Sequence, residues 1–169
     1  MPDIRDFDGH LPVLAEDVYI DRDAVIIGNV EMKAGSSCWP GSIIRADYGK
    51  VIVGEGSHIM DKAFVESHAR WDTIIGERCI VRHGAILHGC RIGRDCLIGI
   101  GAIILDGASI GDETVIGAGC IVSPEMVVPP RSLVMGPQAQ VSRDVTPEEV
   151  DENRRGCAQI SEKLPKYRE

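Results

Sequence analysis

An aliphatic residue recurs every six positions along this chain, at Ile74, Ile80, Ile86, Ile92, Ile98, Ile104, Ile110, Ile116, Val122 and Val128. A small residue follows four positions later at Gly84, Cys90, Cys96, Ala102, Ala108, Thr114 and Cys120. The same pairing appears earlier in a shifted phase, as Ile20/Ala24, Ile26/Val30, Met32/Ser36, Cys38/Ser42, Val53/Ser57 and Ile59/Ala63, ending at Val65. An amphipathic helix places apolar residues at i, i+3, i+4 and i+7, and a half-buried strand alternates without interruption. A six-residue period fits neither. It fits short strands of β-branched residues separated by turns, with Gly28, Gly54, Gly76, Gly93, Gly99, Gly111 and Gly117 among the turn residues. Such a chain stacks coil on coil, large aliphatics inside and small residues where the interior is tightest.

Three hexapeptides per coil make a triangular prism, so the expected fold is an all-β solenoid. The boundaries expected are an N-terminal segment over 1–17, a parallel β-helix over 18–128 and a C-terminal extension over 129–169. The nine-residue steps Ile44 to Val53 and Val65 to Ile74 are read as short insertions. After Pro129-Pro130 the repeat stops, and Thr146-Pro147-Glu148-Glu149 has the N-cap, N1 proline and N3 glutamate of a helix start. Val150, Cys157, Ile160 and Leu164 would line one face of that α-helix, with Gly156 weakening it.

Charge narrows the function classes. The 169 residues carry 18 basic and 26 acidic side chains, net -8, with no Lys/Arg cluster suited to nucleic acid or an anionic membrane. No apolar run approaches the ~20 residues of a membrane span. Met1 to Pro12 is broken by Asp3, Arg5, Asp6, Asp8 and His10, unlike a signal peptide, so a cytoplasmic location is expected. The six cysteines form no C-x-x-C pair and read as buried, reduced thiols.

The chemistry-bearing residues are few. His83 and His88 stand five apart; neither takes the inward slot, and they fall at different phases of their repeats. A shared metal is therefore easiest across a subunit interface, whereas two unrelated surface histidines are the ordinary reading of such a pair. His10 and His58 carry no motif and read as surface residues. Tyr48 and Trp71 are aromatics with polar tips that shape a cleft or pack against a neighbour.

The run His83-Gly84-Ala85-Ile86-Leu87-His88-Gly89-Cys90, with Arg45-x-Asp47, Ile59-Met60-Asp61, the segment Leu97 to Ala102 and Pro130 to Val134, resembles the γ-class carbonic anhydrase family. The likeness runs from about Ile20 to Val145. It implies a left-handed β-helix, against the general right-handed rule for parallel crossovers. It also implies a homotrimer with metal sites between subunits, each held by three histidines, two from one chain and one from its neighbour. His83 and His88 match two of these ligands. At the third position stands Glu66, with His68 two residues on; either is the expected third ligand, for zinc, iron or cobalt. Met60 replaces a glutamine that the family places near the metal-bound water. Arg45, Asp47 and Asp61 are retained, as an ion-pair network at the interface or as groups orienting the water.

The function expected from the resemblance is a metal-dependent hydratase or hydrolase acting on CO2/bicarbonate or another small carbonyl or thioester compound. Two other readings stand beside it: a hexapeptide acyltransferase or CoA-thioester hydrolase, and a non-enzymatic trimeric scaffold or metal-binding protein.

Overall fold

A computed structural model describes residues 1–167, and in it the repeat closes into a left-handed β-helix of seven coils followed by one α-helix. The first face stacks Tyr19–Ile20, Ser37–Cys38, His58–Ile59, Ile80–Val81, Leu97–Ile98, Val115–Ile116 and Ser132–Met135 in parallel. The second face carries Phe64–Glu66, Ile86–His88, Ile103–Ile104 and Ile121–Val122, and the third Thr73–Ile75, Arg91–Ile92, Ser109–Ile110 and Val127–Val128. Two longer strands, Val25–Met32 and Ile43–Val53, turn the corner and serve both the second and third faces.

Parallel pairing extends beyond 18–128 at both ends. Asp3–Arg5 and Val13–Leu14 each add to Val25–Met32, and Ser132–Met135 continues the first face after the proline pair. Leu14 stands six residues before Ile20 and, like Ile4, packs its side chain against the core, so the inward pattern reaches into the N-terminal segment. Gln140–Asp144 then pairs antiparallel with Ser132–Met135 and ends the parallel stack.

The interior is filled as the repeat requires, with one change of phase. Ile26, Ile44, Ile59, Val65, Ile98, Ile104, Ile116 and Val122 are fully enclosed, and Ala24, Ala63, Ala102 and Cys120 occupy the narrow slots. Between residues 73 and 92, however, the inward positions are Ile75, Val81 and Leu87, not Ile74, Ile80 and Ile86. Leu87 is 0% exposed and Ile86 37%. Each pair has two adjacent aliphatics, so hydropathy does not choose between them. The phase returns at Ile92 through a five-residue step across Gly89, whose φ of 57° permits the tight turn. The narrow slot in that coil is accordingly Ala85 rather than Gly84.

Coil spacing also demands glycine at one corner. A Cβ on Gly54 would lie 2.3 Å from the carbonyl oxygen of Gly76, and one on Gly76 would lie 2.6 Å from Gly93 backbone atoms. These three glycines let successive backbones approach to strand-pairing distance.

The helix, Pro147–Tyr167, starts at the expected capping box: Glu149 N–H donates to Thr146 Oγ1 at 3.3 Å, and Thr146 N–H to Glu149 Oε2 at 2.9 Å. Its buried Val150, Cys157 and Leu164 and half-buried Ile160 form the apolar stripe. The helix packs along the first face, in a cluster of Tyr19, Trp39, Met60, Ile80 and Leu97. Gly156 does not break it: the residue faces Ile80, whose Cδ1 is 3.6 Å from where a Cβ would sit. Arg154 of the helix reaches Glu113 at 2.8 Å and the buried Asp95 at 3.2 Å, pinning the helix to the prism.

His58 lies beneath this helix rather than at the surface, and is fully buried. Trp39 Nε1–H donates to Ser37 Oγ at 2.9 Å, Ser37 Oγ–H to His58 Nδ1 at 2.7 Å, and His58 Nε2–H to the Cys157 carbonyl at 3.1 Å. Desolvation pushes this imidazole down to about 4. All six cysteines are free and buried, and burial raises Cys38, Cys90 and Cys157 to about 12, as suits packing residues rather than nucleophiles. No helix among the described residues is long and apolar enough to cross a membrane.

Candidate functional site

A coil of three hexapeptides takes eighteen residues, slightly more where an insertion intervenes, so residues about one coil apart stack directly. Arg45, Glu66 and His88 do so: Arg45 is in register with Glu66, and Glu66 with His88, at the end of the second face. Their side chains project outward from a ladder whose inward members are Ile44, Val65 and Leu87. Strand alternation therefore fixes both the buried aliphatics and this polar column.

Within the column each charged group is engaged. The Arg45 guanidinium holds Glu66 through Oε1 and lies 3.2 Å from Asp47 Oδ2. Hydrogen bonding to Glu66 raises the Arg45 pKa, so this cation stays charged throughout the accessible pH range. Glu66 Oε2 faces His88 Nε2 at 3.5 Å. On its other side, His88 Nδ1 is hydrogen-bonded to Asp106 Oδ1.

The two motif histidines do not meet within the chain. His83 sits at the turn between the first and second faces, stacked on the turn of the coil before it, where Gly84 N–H donates to the Asp61 carbonyl at 3.0 Å. Its Nε2 lies 3.4 Å from Asp61 Oδ2 and its side chain is half exposed. His88 occupies the opposite end of that face. Asp61 thus pairs with His83 and not, within one chain, with Arg45. Met60 turns into the cluster under the helix and is 8% exposed, so it packs rather than lining the polar column.

His68 lies on the insertion 67–72, its ring centroid 5.8 Å from that of His88 and 5.5 Å from Trp71. Its Nδ1 accepts from Arg70 N–H at 3.2 Å, which puts the proton of the neutral ring on Nε2 and leaves no free nitrogen lone pair. The loop's fold also depends on missing side chains: a Cβ on Gly89 would meet His68 Cβ at 3.1 Å, and one on Gly107 the Trp71 indole at 3.2 Å. Arg70 stacks on the same indole at 4.8 Å. Tyr48 stands out at 67% exposure, while its carbonyl accepts from Ser67 Oγ.

A tetrahedral divalent metal sets a geometric requirement on these donors. Two donor atoms about 2.0–2.1 Å from such an ion lie about 3.3 Å apart. The 3.5 Å between Glu66 Oε2 and His88 Nε2 matches that separation. One carboxylate and one imidazole fit; among the described residues of a single chain there is no cluster of three or more metal-binding side chains. His83, the other motif histidine, is half exposed and stands apart from this pair within one chain.

Asp106 was not singled out from the sequence. The signal was the coil length, since Asp106 follows His88 by eighteen residues.

Comparison with known proteins bears on the family. Residues 89–124 match the family described as bacterial transferase hexapeptide (six repeats). The chain is 44% identical over 159 residues to a "Probable carbonic anhydrase" of Methanocaldococcus jannaschii, covering 92% of this chain and 100% of that protein. It is 43% identical over 144 residues to "Carnitine operon protein CaiE" of Citrobacter koseri, covering 85% of this chain and 73% of that one. Among solved structures, a Bacillus cereus protein described as a "putative acetyltransferase" superposes with a TM-score of 0.96 at 34% identity, covering 98% of this chain and 96% of the other. A hexapeptide transferase family protein from Anaplasma phagocytophilum gives 0.93 at 28% identity, with 98% of each chain covered. The repeat, the polar column and these relatives together show that the chain belongs to the γ-class carbonic anhydrase-like family of hexapeptide-repeat proteins.

Proposed function

We propose that this chain assembles as a homotrimer and uses a divalent metal, held by Glu66 and His88 of one subunit and His83 of the next, to add water to CO2 or a related small carbonyl compound. The observation that carries the reading is the 3.5 Å approach of Glu66 Oε2 to His88 Nε2. Zinc is the first candidate because two imidazoles and one carboxylate form a known catalytic zinc set. A metal bound there would supply Lewis acidity toward a water molecule or carbonyl oxygen.

The chain's own residues do the rest. Glu66 contributes a negative charge where the family has a neutral imidazole, which opposes the acidity of the water. Arg45 offsets that charge by holding the other carboxylate oxygen, and Asp47 fixes Arg45. Asp61, 3.4 Å from His83 Nε2, is the group that could accept a proton near the third donor. With Met60 buried under the helix, no amide side chain stands where the family has its glutamine, so CO2 hydration is expected to be slower than in members that retain it. The exposed Ile86, Ile100 and Ile121 supply an apolar outer surface for the neighbouring subunits.

Metal content of the purified protein, compared with His83→Ala, His88→Ala, Glu66→Ala and His68→Ala, tests the site. One metal per chain, lost in the first three variants and kept in the fourth, is the expected result. Wild-type protein that stays metal-free after incubation with zinc, iron or cobalt refutes it and leaves a trimeric scaffold. Stopped-flow CO2 hydration and a thioester-hydrolysis assay on loaded protein then separate the two substrate classes. The transferase names of the solved relatives favour an acyl-transfer alternative; acetyl-CoA binding by calorimetry decides for or against it.

A further inference from the structure

We infer that Asp106 is a positioning residue that selects the tautomer of His88. The inference deepens the metal-site reading and rests on it for its functional meaning.

A neutral imidazole has one N–H, and His88 stands between two carboxylates that compete for it. On one side Asp106 Oδ1 is within hydrogen-bond distance of Nδ1; on the other Glu66 Oε2 is 3.5 Å from Nε2, outside that range. The proton therefore sits on Nδ1, and the Nε2 lone pair faces Glu66. If Asp106 did not hold Nδ1–H, the ring would gain by placing its proton on Nε2 and donating to Glu66, which removes both donors from metal binding at once. Carboxylate partners of metal-binding histidines act in this way, through ring orientation and tautomer.

Two further observations indicate a built contact. The Asp106 turn is held by its backbone: Gly107 N–H donates to the Gly89 carbonyl at 2.7 Å, and the Asp106 carbonyl accepts from Glu125 N–H at 2.8 Å. The carboxylate is thus not needed to stack the coil. Next to it, a Cβ on Gly89 would lie 2.9 Å from Asp106 Oδ1, so the bare glycine leaves the carboxylate room beside His88.

The test uses the full-length protein with histidine-selective ¹⁵N labelling. Long-range ¹H–¹⁵N correlation spectra at pH 8, without metal, report the His88 tautomer; competition with a chromophoric chelator reports Co²⁺ and Zn²⁺ affinity. Wild type should show protonated Nδ1. Asp106→Ala should show protonated Nε2 and bind metal roughly 10–100-fold more weakly, while Asp106→Asn, whose amide oxygen still accepts from Nδ1, retains the wild-type tautomer. Asp106→Ser, too short to reach Nδ1, should resemble Asp106→Ala, which keeps the test open should one variant fail to fold. An unchanged tautomer in Asp106→Ala overturns the inference even if metal binds. Wild-type protein that takes up no metal overturns the proposed function, whereas a tautomer switch in Asp106→Ala upholds the inference in that case too.

Discussion

His58 should make the docking of the C-terminal helix sensitive to acid, by an amount that follows from its burial. The ring is enclosed between Ser37 on the first face and Cys157 and Ser161 on the helix, and its folded-state pKa falls from 6.5 to about 4 because desolvation opposes the charge. Below pH 6.5 the unfolded chain takes up a proton that the folded chain refuses. The associated stability is therefore complete above pH 6.5 and is lost as pH falls toward 4. It amounts to about 2 kcal/mol lost at pH 5 and about 3 kcal/mol at pH 4. Urea unfolding followed by circular dichroism at pH 7.5 and pH 5.0, in wild type and His58→Gln, measures it at fixed protein concentration. The substituted glutamine keeps a donor for the Cys157 carbonyl but does not titrate. The variant should be less stable at pH 7.5 by about 1–3 kcal/mol for imperfect hydrogen bonding. Its loss between the two pH values should be smaller than wild type's by about 2 kcal/mol. Taking the difference cancels other titrating groups, including those at subunit contacts. Equal losses in both proteins, within ~0.5 kcal/mol, would refute the reasoning.

The inward phase of the 73–92 coil gives a second prediction: Leu87→Ala should cost about 2–5 kcal/mol in equilibrium unfolding. Ile86→Ala should change that value by less than about 1 kcal/mol per folded chain but weaken assembly in sedimentation velocity, since Ile86 points outward. Gly76→Ala should destabilise by roughly 1–3 kcal/mol or prevent folding, detected by the loss of β-sheet circular dichroism, because its Cβ would press on Gly93 backbone. Thr146→Ala removes the helix cap and should cost about 1 kcal/mol, with faster amide exchange in residues 147–150 than in the prism.

The period of six was enough to give the prism, its three-sided coil and most of its inward residues, because hydrophobic burial and strand alternation act locally and repeat. The capping box likewise fixed the start of the helix, and Val150, Cys157 and Leu164 fixed the face that it buries. The pattern could not fix the phase where two aliphatics adjoin, as at Ile86-Leu87, since hydropathy is equal and only the five-residue step across Gly89 decides which turns inward. It did not reveal the strand Asp3–Arg5, which lies outside the repeat although its Ile4 pairs with Ile26 and packs against the core.

The polar column divides in the same way. Arg45, Glu66 and His88 were legible through resemblance, but their contact required the register between coils. Whether Glu66 or His68 faces His88 was open in the sequence, because an insertion of a few residues can turn either way. Strand register sets Glu66 beside His88, and the loop turns His68 so that its Nδ1 accepts from Arg70 N–H. Asp106 and His58 carried no motif. Each acquired its role from a partner brought to it by tertiary structure: Asp106 from His88 one coil away, and His58 from a helix about a hundred residues later in the chain. Sequence periodicity determined which residues point in and which point out; only the stacking of coils decided which outward groups touch, because that distance is set by strand pairing and not by spacing along the chain.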